Sequence, residues 1–163
     1  MYKILTRREL NSTETLIEVE APFVARKAEP GQFIILRACP DGERIPLTIC
    51  DYDREKGSVT VIFQVVGATT KKLNAIPEGG YIEDFVGPLG NPTETEGLKK
   101  VAVVGGGVGC AIALPIAKKL HNLGAEVDLI VGFRNKDLVI LEDEFKQSCT
   151  RLHLMTDDGS YGR

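Results

Sequence analysis

The sequence predicts a β plus α/β protein, in which an antiparallel β-barrel over residues 1–97 precedes a parallel α/β domain over residues 98–163. Two observations carry this prediction. Up to about Leu89, short segments rich in Val, Ile, Thr and aromatic residues alternate with turn residues, as in sheets built from hairpins. Beyond Gly97, apolar strands alternate with helical segments, which is typical of right-handed crossovers in a parallel sheet.

The barrel half is predicted from strand segments that are separated by pairs containing glycine or proline. Evenly spaced short strands must close on themselves or stack to hide their edges, which favours a small barrel. One helix is expected within it, because TKKLNAI at residues 70–76 interrupts the strand pattern. The predicted strands are residues 14–22, 31–39, 45–52, 57–66 and 79–87.

The second half follows residues 87–97, a polar segment with proline and glycine and without apolar periodicity, where we place the domain boundary. Three strands would leave an open sheet edge, so we interpret this half as the N-terminal part of a truncated α/β domain. The predicted strands are residues 99–105, 126–133 and 151–156, and the predicted helices are residues 110–124 and 137–148.

Composition excludes several classes of protein. The 163 residues carry a formal net charge of −3, which gives no electrostatic reason to expect nucleic acid or an anionic membrane as partner. Charged residues in MYKILTRREL replace the apolar core of a signal peptide, so we expect a cytoplasmic protein. Residues 101–117 are apolar, but consecutive glycines and Pro115 favour a strand, loop and helix over a membrane span. The cysteines lie far apart without a C-x-x-C pair, so they predict no metal site.

A glycine cluster joins the first strand of the second half to its helix, and comprises Gly105, Gly106, Gly107, Val108 and Gly109. Glycines in this position let the backbone approach a pyrophosphate, which the helix N-terminus attracts. The literal fingerprint fails, because Cys110 stands where its third glycine is expected and no acidic residue ends the next strand. The position favours a nucleotide site; the alternative is a tight turn without a ligand.

The segment RIPLT in the barrel half has the composition of an anion site. Arg44 can clamp a phosphate through two hydrogen bonds, Pro46 fixes the backbone, and the hydroxyl of Thr48 can donate and accept. The alternative for Arg44 is a solvated surface charge.

A second anion site is predicted in VVGATTKKL. We expect Gly67 to let the chain turn, and Thr69 and Thr70 to begin a helix whose free N–H groups attract phosphate. The alternative is an ordinary threonine helix cap.

Six motifs in order resemble those of the ferredoxin reductase family: RIPLT, IFQVVGATT, GPLG, GGGVG, GFRNKDLVILEDEF and TDDGSYGR. Within that family the chain most resembles the small, NADH-side subunits of NADH-dependent ferredoxin-NADP oxidoreductases, to which the electron-transfer subunits of dihydroorotate dehydrogenase are close. The resemblance extends over the whole chain. It implies an FAD-binding barrel and an NAD(P)-binding α/β domain.

The resemblance also implies roles for individual residues. Arg44 would meet the FAD pyrophosphate, and Thr48 would hydrogen-bond near the flavin N5. Because the flavin carries the chemistry, no catalytic acid or base is assigned. The remaining contacts would be Pro46 and Leu47 along the flavin, Ile62, Phe63 and Gln64 along the ribityl and adenine side, Gly67, Thr69 and Thr70 at the FAD phosphates, and residues 105–109 at the nicotinamide dinucleotide.

The choice between NADH and NADPH depends on the carboxyl ends of the later strands, where the adenosine is expected. Asp157 and Asp158 can accept hydrogen bonds from a ribose diol and would repel a 2′-phosphate, whereas Arg134 favours that phosphate. We therefore expect NADH rather than NADPH. The alternative is an Asp-Asp-Gly turn without a nucleotide role.

Together these inferences predict an electron-transfer flavoprotein subunit that uses FAD to pass electrons between NAD(P)H and a larger flavin and iron-sulfur oxidoreductase subunit. The resemblance implies a [2Fe-2S] cluster in full-length relatives, but the cysteine-rich segment that would hold it is absent from this sequence. The alternatives are an electron-transfer subunit of dihydroorotate dehydrogenase, a cofactor-binding fragment without turnover, and a docking protein that has lost its cofactors.

Overall fold

The computed structural model describes residues 1–162 and divides into two compact units, Met1–Pro92 and Thr93–Arg163. The division lies inside the polar segment that separates the two predicted halves. The assignment of cofactor-binding domains to either side of residue 97 stays a prediction.

The first unit is a seven-stranded antiparallel barrel with the strand order β6-β1-β2-β5-β4-β3-β7. Its elements are β1 (Tyr2–Glu9), β2 (Glu14–Glu20), α1 (Pro22–Lys27), β3 (Phe33–Arg37), β4 (Arg44–Asp53), β5 (Ser58–Gln64), α2 (Ala68–Asn74), β6 (Tyr81–Ile82) and β7 (Asp84–Leu89). The two outer strands, β6 and β7, are separated in the chain by Glu83 alone. The edges of the sheet therefore come together, and the barrel is nearly closed.

Strand alternation fills the barrel core. On β5, Val59, Val61 and Phe63 are at most 1% exposed, because side chains two residues apart point to the same face. On β4, Ile45 and Leu47 pack against the same core. The residues that alternate with these on β4 and β5 are directed to the outer face of the barrel.

The second unit is a three-stranded parallel sheet with helices. Its elements are β8 (Lys100–Gly106), α3 (Cys110–Asn122), β9 (Glu126–Phe133), α4 (Glu142–Gln147) and β10 (Arg151–Thr156). Strand β9 lies in the centre and pairs in parallel with β8 and β10. Helix α3 packs on β8 and β9, and α4 packs on α3 and β10. Val127, Leu129 and Val131 are fully buried on one face, whereas Val104 and Met155 are exposed.

The predicted fold, an antiparallel barrel followed by a parallel α/β sheet, is confirmed. Two elements were missed. Strand β1 buries only Ile4 among its eight residues, so it shows no apolar alternation. Helix α1 has six residues and is too short for helical periodicity. The predicted strand 79–87 is divided at Glu83, and the predicted helix 137–148 begins as α4 only at Glu142.

Within residues 1–162, no helix combines the length and the apolar character needed to cross a bilayer.

Candidate functional site

Strand β4 presents Arg44, Pro46 and Thr48 together on its outer face. Arg44 and Pro46 are exposed and Thr48 is half-buried, while the intervening Ile45 and Leu47 pack towards the core. Residues two apart on a strand point to the same side of the sheet, so the spacing of RIPLT is what brings these groups together. The surface offers a cation, a rigid apolar ring and a hydroxyl.

The Arg44 guanidinium is oriented and still accessible. Its Nη2 donates to Oδ2 of Asp84 at 3.0 Å, and its side chain is 60% exposed. A guanidinium has five N–H donors, so the others stay available to a ligand. Charge-assisted hydrogen bonds from such a group fit a phosphate.

The group predicted on β5 is divided by strand alternation. Phe63 is 1% exposed and belongs to the barrel core, whereas Ile62 and Gln64 point to the outer face. Ile62 is 4% exposed and Gln64 is exposed. Gln64 is therefore the member of this group whose side chain is accessible to a ligand.

The start of α2 differs from its prediction at Gly67. The chain bends at Gly67, but its backbone is extended, with φ −151° and ψ −175°, a conformation that any residue adopts, so the bend does not depend on glycine. A Cβ at Gly67 would meet no atom within 4 Å. The glycine leaves open space in front of the helix, where an anion can approach the backbone.

Both threonine hydroxyls of this segment have partners within the chain. Thr70 Oγ1 accepts hydrogen bonds from the N–H groups of Val66 at 3.0 Å and Gly67 at 3.1 Å. Thr69 Oγ1 donates to Glu43 Oε2 at 3.0 Å. The hydroxyls therefore brace the helix, and the N–H groups of its first turn are the donors left for an anion.

The glycines after β8 serve different purposes. A Cβ at Gly105 would lie 3.0 Å from Ala113 Cβ and 3.2 Å from Cys110 Cα, so this glycine permits close packing of strand on helix. Gly107 has φ +55°, a left-handed conformation that favours glycine. These two positions are explained by the fold.

Packing and turn geometry do not explain Gly106 and Gly109. Gly106 is extended and Gly109 is helical, conformations that any residue adopts, and a Cβ at either would meet no atom within 4 Å. Val108 between them is 41% exposed. The open backbone lies at the start of the 13-residue helix α3, which has no acidic residue in its first turn. This cradle fits a dinucleotide pyrophosphate, because helix N-termini attract anions.

Arg134, Asp157 and Asp158 come together at the ends of β9 and β10, as the parallel pairing of these strands requires. The Asp157 N–H donates to the Phe133 carbonyl at 2.9 Å, and the Asp158 N–H donates to the Arg134 carbonyl at 3.3 Å. The predicted proximity of Arg134 to the two aspartates is thus present in the structure.

The two aspartates have different surroundings. Asp158 Oδ1 accepts from the Ser160 hydroxyl at 2.6 Å and from the Ser160 N–H at 2.9 Å, and these bonds lower the pKa of its carboxyl. Asp158 thereby forms the alternative turn, with Gly159 at φ +69°. Asp157 is exposed, and its carboxylate has no hydrogen bond to another described residue. Asp157 is the better candidate to accept from a ribose.

Sequence reasoning missed Asp84 and Ser160. The DDGS sequence is a turn signal that identifies Ser160 as a partner of Asp158. Asp84 lies 40 residues after Arg44 and reaches it only through strand pairing, so no local signal points to it.

No group of three or more His, Cys, Asp or Glu side chains in the part of the chain that the structure describes is arranged to hold a metal ion. Within the described residues none of the four cysteines forms a disulfide; Cys50, Cys110 and Cys149 are buried and Cys39 is half-buried.

The chain as a whole is similar to several known proteins. An uncharacterized protein in the adh 3′ region of Clostridium beijerinckii is 51% identical, with 99% of this chain matched. A dihydroorotate dehydrogenase B (NAD(+)) electron transfer subunit homolog of Thermotoga maritima is 47% identical over 144 residues, which are 88% of this chain. Among solved structures, a chain of the NADH-dependent reduced ferredoxin-NADP oxidoreductase superposes with a TM-score of 0.93 and 40% identity over 99% of this chain.

The chain spans only part of each of these proteins: 57% of the Clostridium protein, 51% of the Thermotoga protein and 58% of the oxidoreductase chain. No family model matches the sequence.

Proposed function

Since the chain belongs to the ferredoxin reductase-like family, we propose that it is part of an electron-transfer flavoprotein subunit, with FAD on the barrel and a nicotinamide dinucleotide on the α/β unit. The observation that carries the proposal is the outer face of β4, where an oriented, exposed Arg44 lies beside Pro46 and Thr48. The open backbone at Gly67 supports a second contact to the FAD phosphates at the start of α2.

FAD, when bound, accepts a hydride from a nicotinamide and passes electrons on singly, so the protein supplies position and electrostatic field. Arg44 balances phosphate charge and fixes one end of the cofactor. The hydroxyl of Thr48 would orient the flavin ring when FAD is bound, and Pro46 would exclude water from it. The residues of this site bind and orient, and none is assigned as an acid or base.

The nucleotide assignment rests on the cradle at Gly106 and Gly109 and on the exposed carboxylate of Asp157, which has no hydrogen bond to another described residue. We propose NADH as the preferred nucleotide, because Asp157 can accept from a ribose diol and would repel a 2′-phosphate. Arg134 opposes this preference.

The proposed partner is a larger flavin and iron-sulfur oxidoreductase subunit. A relative from Streptococcus mutans is named a dihydroorotate dehydrogenase B electron transfer subunit, and the Thermotoga maritima relative is named a homolog of it. These names favour a second candidate, in which the partner oxidises dihydroorotate. Mixing the chain with a purified dihydroorotate dehydrogenase B catalytic subunit tests this candidate, since a stable complex on gel filtration is expected only for the cognate pair.

The proposal is tested by the visible absorption spectrum of the purified chain, supplied with FAD, before and after anaerobic addition of NADH. A flavin spectrum that bleaches supports both cofactor sites. A flavin spectrum that NADH leaves unchanged contradicts electron transfer from NADH in this chain and leaves a binding module. A protein that remains colourless after incubation with FAD overturns the flavoprotein assignment.

A further inference from the structure

A carboxylate joins two arginines across three strands of the barrel. In the ladder, Arg37 of β3 lies opposite Arg44 of β4 on one side and Asp84 of β7 on the other. Asp84 Oδ2 accepts from Arg37 Nε at 2.7 Å and from Arg44 Nη2 at 3.0 Å. One carboxylate oxygen therefore holds both guanidinium groups.

The three side chains are not equally exposed. Arg37 is 22% exposed and Asp84 is 31% exposed, while Arg44 is 60% exposed. Arg37 also donates to the Pro40 carbonyl at 2.8 Å, which fixes it from a second direction. The buried side of the cluster is thus rigid, and Arg44 extends from it towards solvent.

The charges of the cluster explain why it contains two arginines. Asp84 with Arg44 alone would be neutral and would place a carboxylate beside any bound phosphate. Arg37 offsets that negative charge, so the cluster keeps a net charge of +1. An anion therefore meets an oriented cation in a field that still attracts it.

We propose that Asp84 is a positioning residue for FAD binding, which holds the Arg44 guanidinium in the orientation that meets the FAD pyrophosphate. This inference rests on the proposed function and extends it from the residue that contacts the cofactor to the residue that aims it. Fixing a long side chain before binding saves the rotamer entropy that the complex would otherwise lose.

Asp84→Asn separates positioning from charge, because the two effects have opposite signs. The substitution raises the net charge of the cluster from +1 to +2, so a purely electrostatic role for Asp84 predicts tighter FAD binding. A positioning role predicts weaker binding, since an amide holds two arginines less firmly than a carboxylate does. We expect the Kd for FAD, measured by quenching of flavin fluorescence, to rise about fivefold to tenfold.

A double-mutant cycle with Arg44→Ala separates positioning from a general loss of structure. If Asp84 acts through Arg44, Asp84→Asn weakens FAD binding in the native chain and does not weaken it in the Arg44→Ala background. If Asp84→Asn weakens FAD binding equally in both backgrounds, Asp84 only stabilises the pairing of β7 with β3, and the proposal is overturned. Circular dichroism melting without FAD confirms that each variant is folded.

Glu29→Gln is the matched control. Glu29 is 34% exposed and accepts from Arg54 Nη2 at 3.1 Å, so this variant also removes an arginine partner of the barrel. Its Kd for FAD is expected to stay at the native value. Unchanged or tighter binding by Asp84→Asn overturns the positioning role and leaves the flavoprotein assignment intact. A native chain that binds no FAD overturns both.

Discussion

The glycine cluster after β8 offers a direct test of which residues serve the fold and which serve a ligand. Gly105→Ala would place a methyl group 3.0 Å from Ala113 Cβ and 3.2 Å from Cys110 Cα, closer than such contacts normally are. Strand and helix would have to separate slightly. Overpacking of this kind costs about 1–3 kcal/mol, and we expect the free energy of unfolding to fall by that amount.

Gly106→Ala should leave the fold stable and weaken nucleotide binding. Gly106 is extended, at φ −132° and ψ 133°, and its Cβ would meet no atom within 4 Å, so the free energy of unfolding should rise by about 0.4–1 kcal/mol, because alanine loses less backbone entropy on folding. The methyl group would instead occupy the space through which a pyrophosphate approaches the backbone. We expect the Kd for NADH to rise at least about tenfold, which is about 1.4 kcal/mol.

The two variants are compared by urea denaturation and by NADH titration, each against the native chain. The reasoning is refuted at the binding site if Gly106→Ala binds NADH as tightly as the native chain. It is refuted at the packing contact if Gly105→Ala is as stable as the native chain. Because each variant has its own readout, one failure leaves the other conclusion standing.

Three further predictions concern charged residues. Arg44→Ala should weaken FAD binding about tenfold to hundredfold, because it removes a charge-assisted clamp of about 1.5–3 kcal/mol. Lys56→Ala is the control: it removes another half-exposed, ion-paired cation and should retain flavin on gel filtration. Asp157→Ser combined with Asp158→Arg should shift the ratio of flavin reduction rates towards NADPH; a variant with the native ratio would mean that the adenosine lies elsewhere. Hydrogen bonds from Arg151 and then His153 lower the Asp128 pKa to about 2, so its ionic contribution to stability is complete above the unfolded value of about 3.9 and is lost as the pH falls through about 2. Asp128→Asn should therefore lower the urea midpoint at pH 7, and the difference from the native chain should narrow below pH 4; a constant difference would contradict the ionic origin.

The elements that sequence predicted best are those in which burial alternates without interruption. Residues 126–133 and 151–156 form β9 and β10 with the predicted bounds. On β9 every second residue is buried, so the hydrophobic pattern alone defines the strand. Strand β1 was not predicted, because Ile4 is its only buried side chain and one buried residue gives no alternation to detect.

The α4 region shows how tertiary packing overrides a local pattern. The predicted helix 137–148 includes Ile140 and Leu141, which are 2% and 5% exposed. Leu141 has φ +59°, a left-handed conformation that is unusual for this residue, and α4 starts only after it. Burial of the two side chains is compatible with a helix or a loop, so composition alone could not place the start.

The candidate site on β4 was predictable because its spacing is local. Arg44, Pro46 and Thr48 are two residues apart, and any strand places such residues on one face. Asp84 was not predictable, because its contact depends on β7 pairing with β3, which in turn pairs with β4. Contacts that depend on the order of strands in the sheet cannot be predicted from a sequence motif or from hydrophobic periodicity.

Glycines at the two helix starts give the proposed sites further physical support. A glycine can serve close packing, a left-handed turn or the approach of a ligand, and the sequence alone does not distinguish these three reasons. Gly105 allows close packing and Gly107 a left-handed turn, but Gly67, Gly106 and Gly109 have conformations that any residue adopts and open space where a Cβ would lie. An alanine at these three positions would fit the fold and lose less backbone entropy on folding. All three precede or begin a helix, one in the barrel and two in the α/β unit, where exposed N–H groups attract phosphate. This pattern supports the proposal that each unit binds a phosphate-bearing cofactor through exposed backbone.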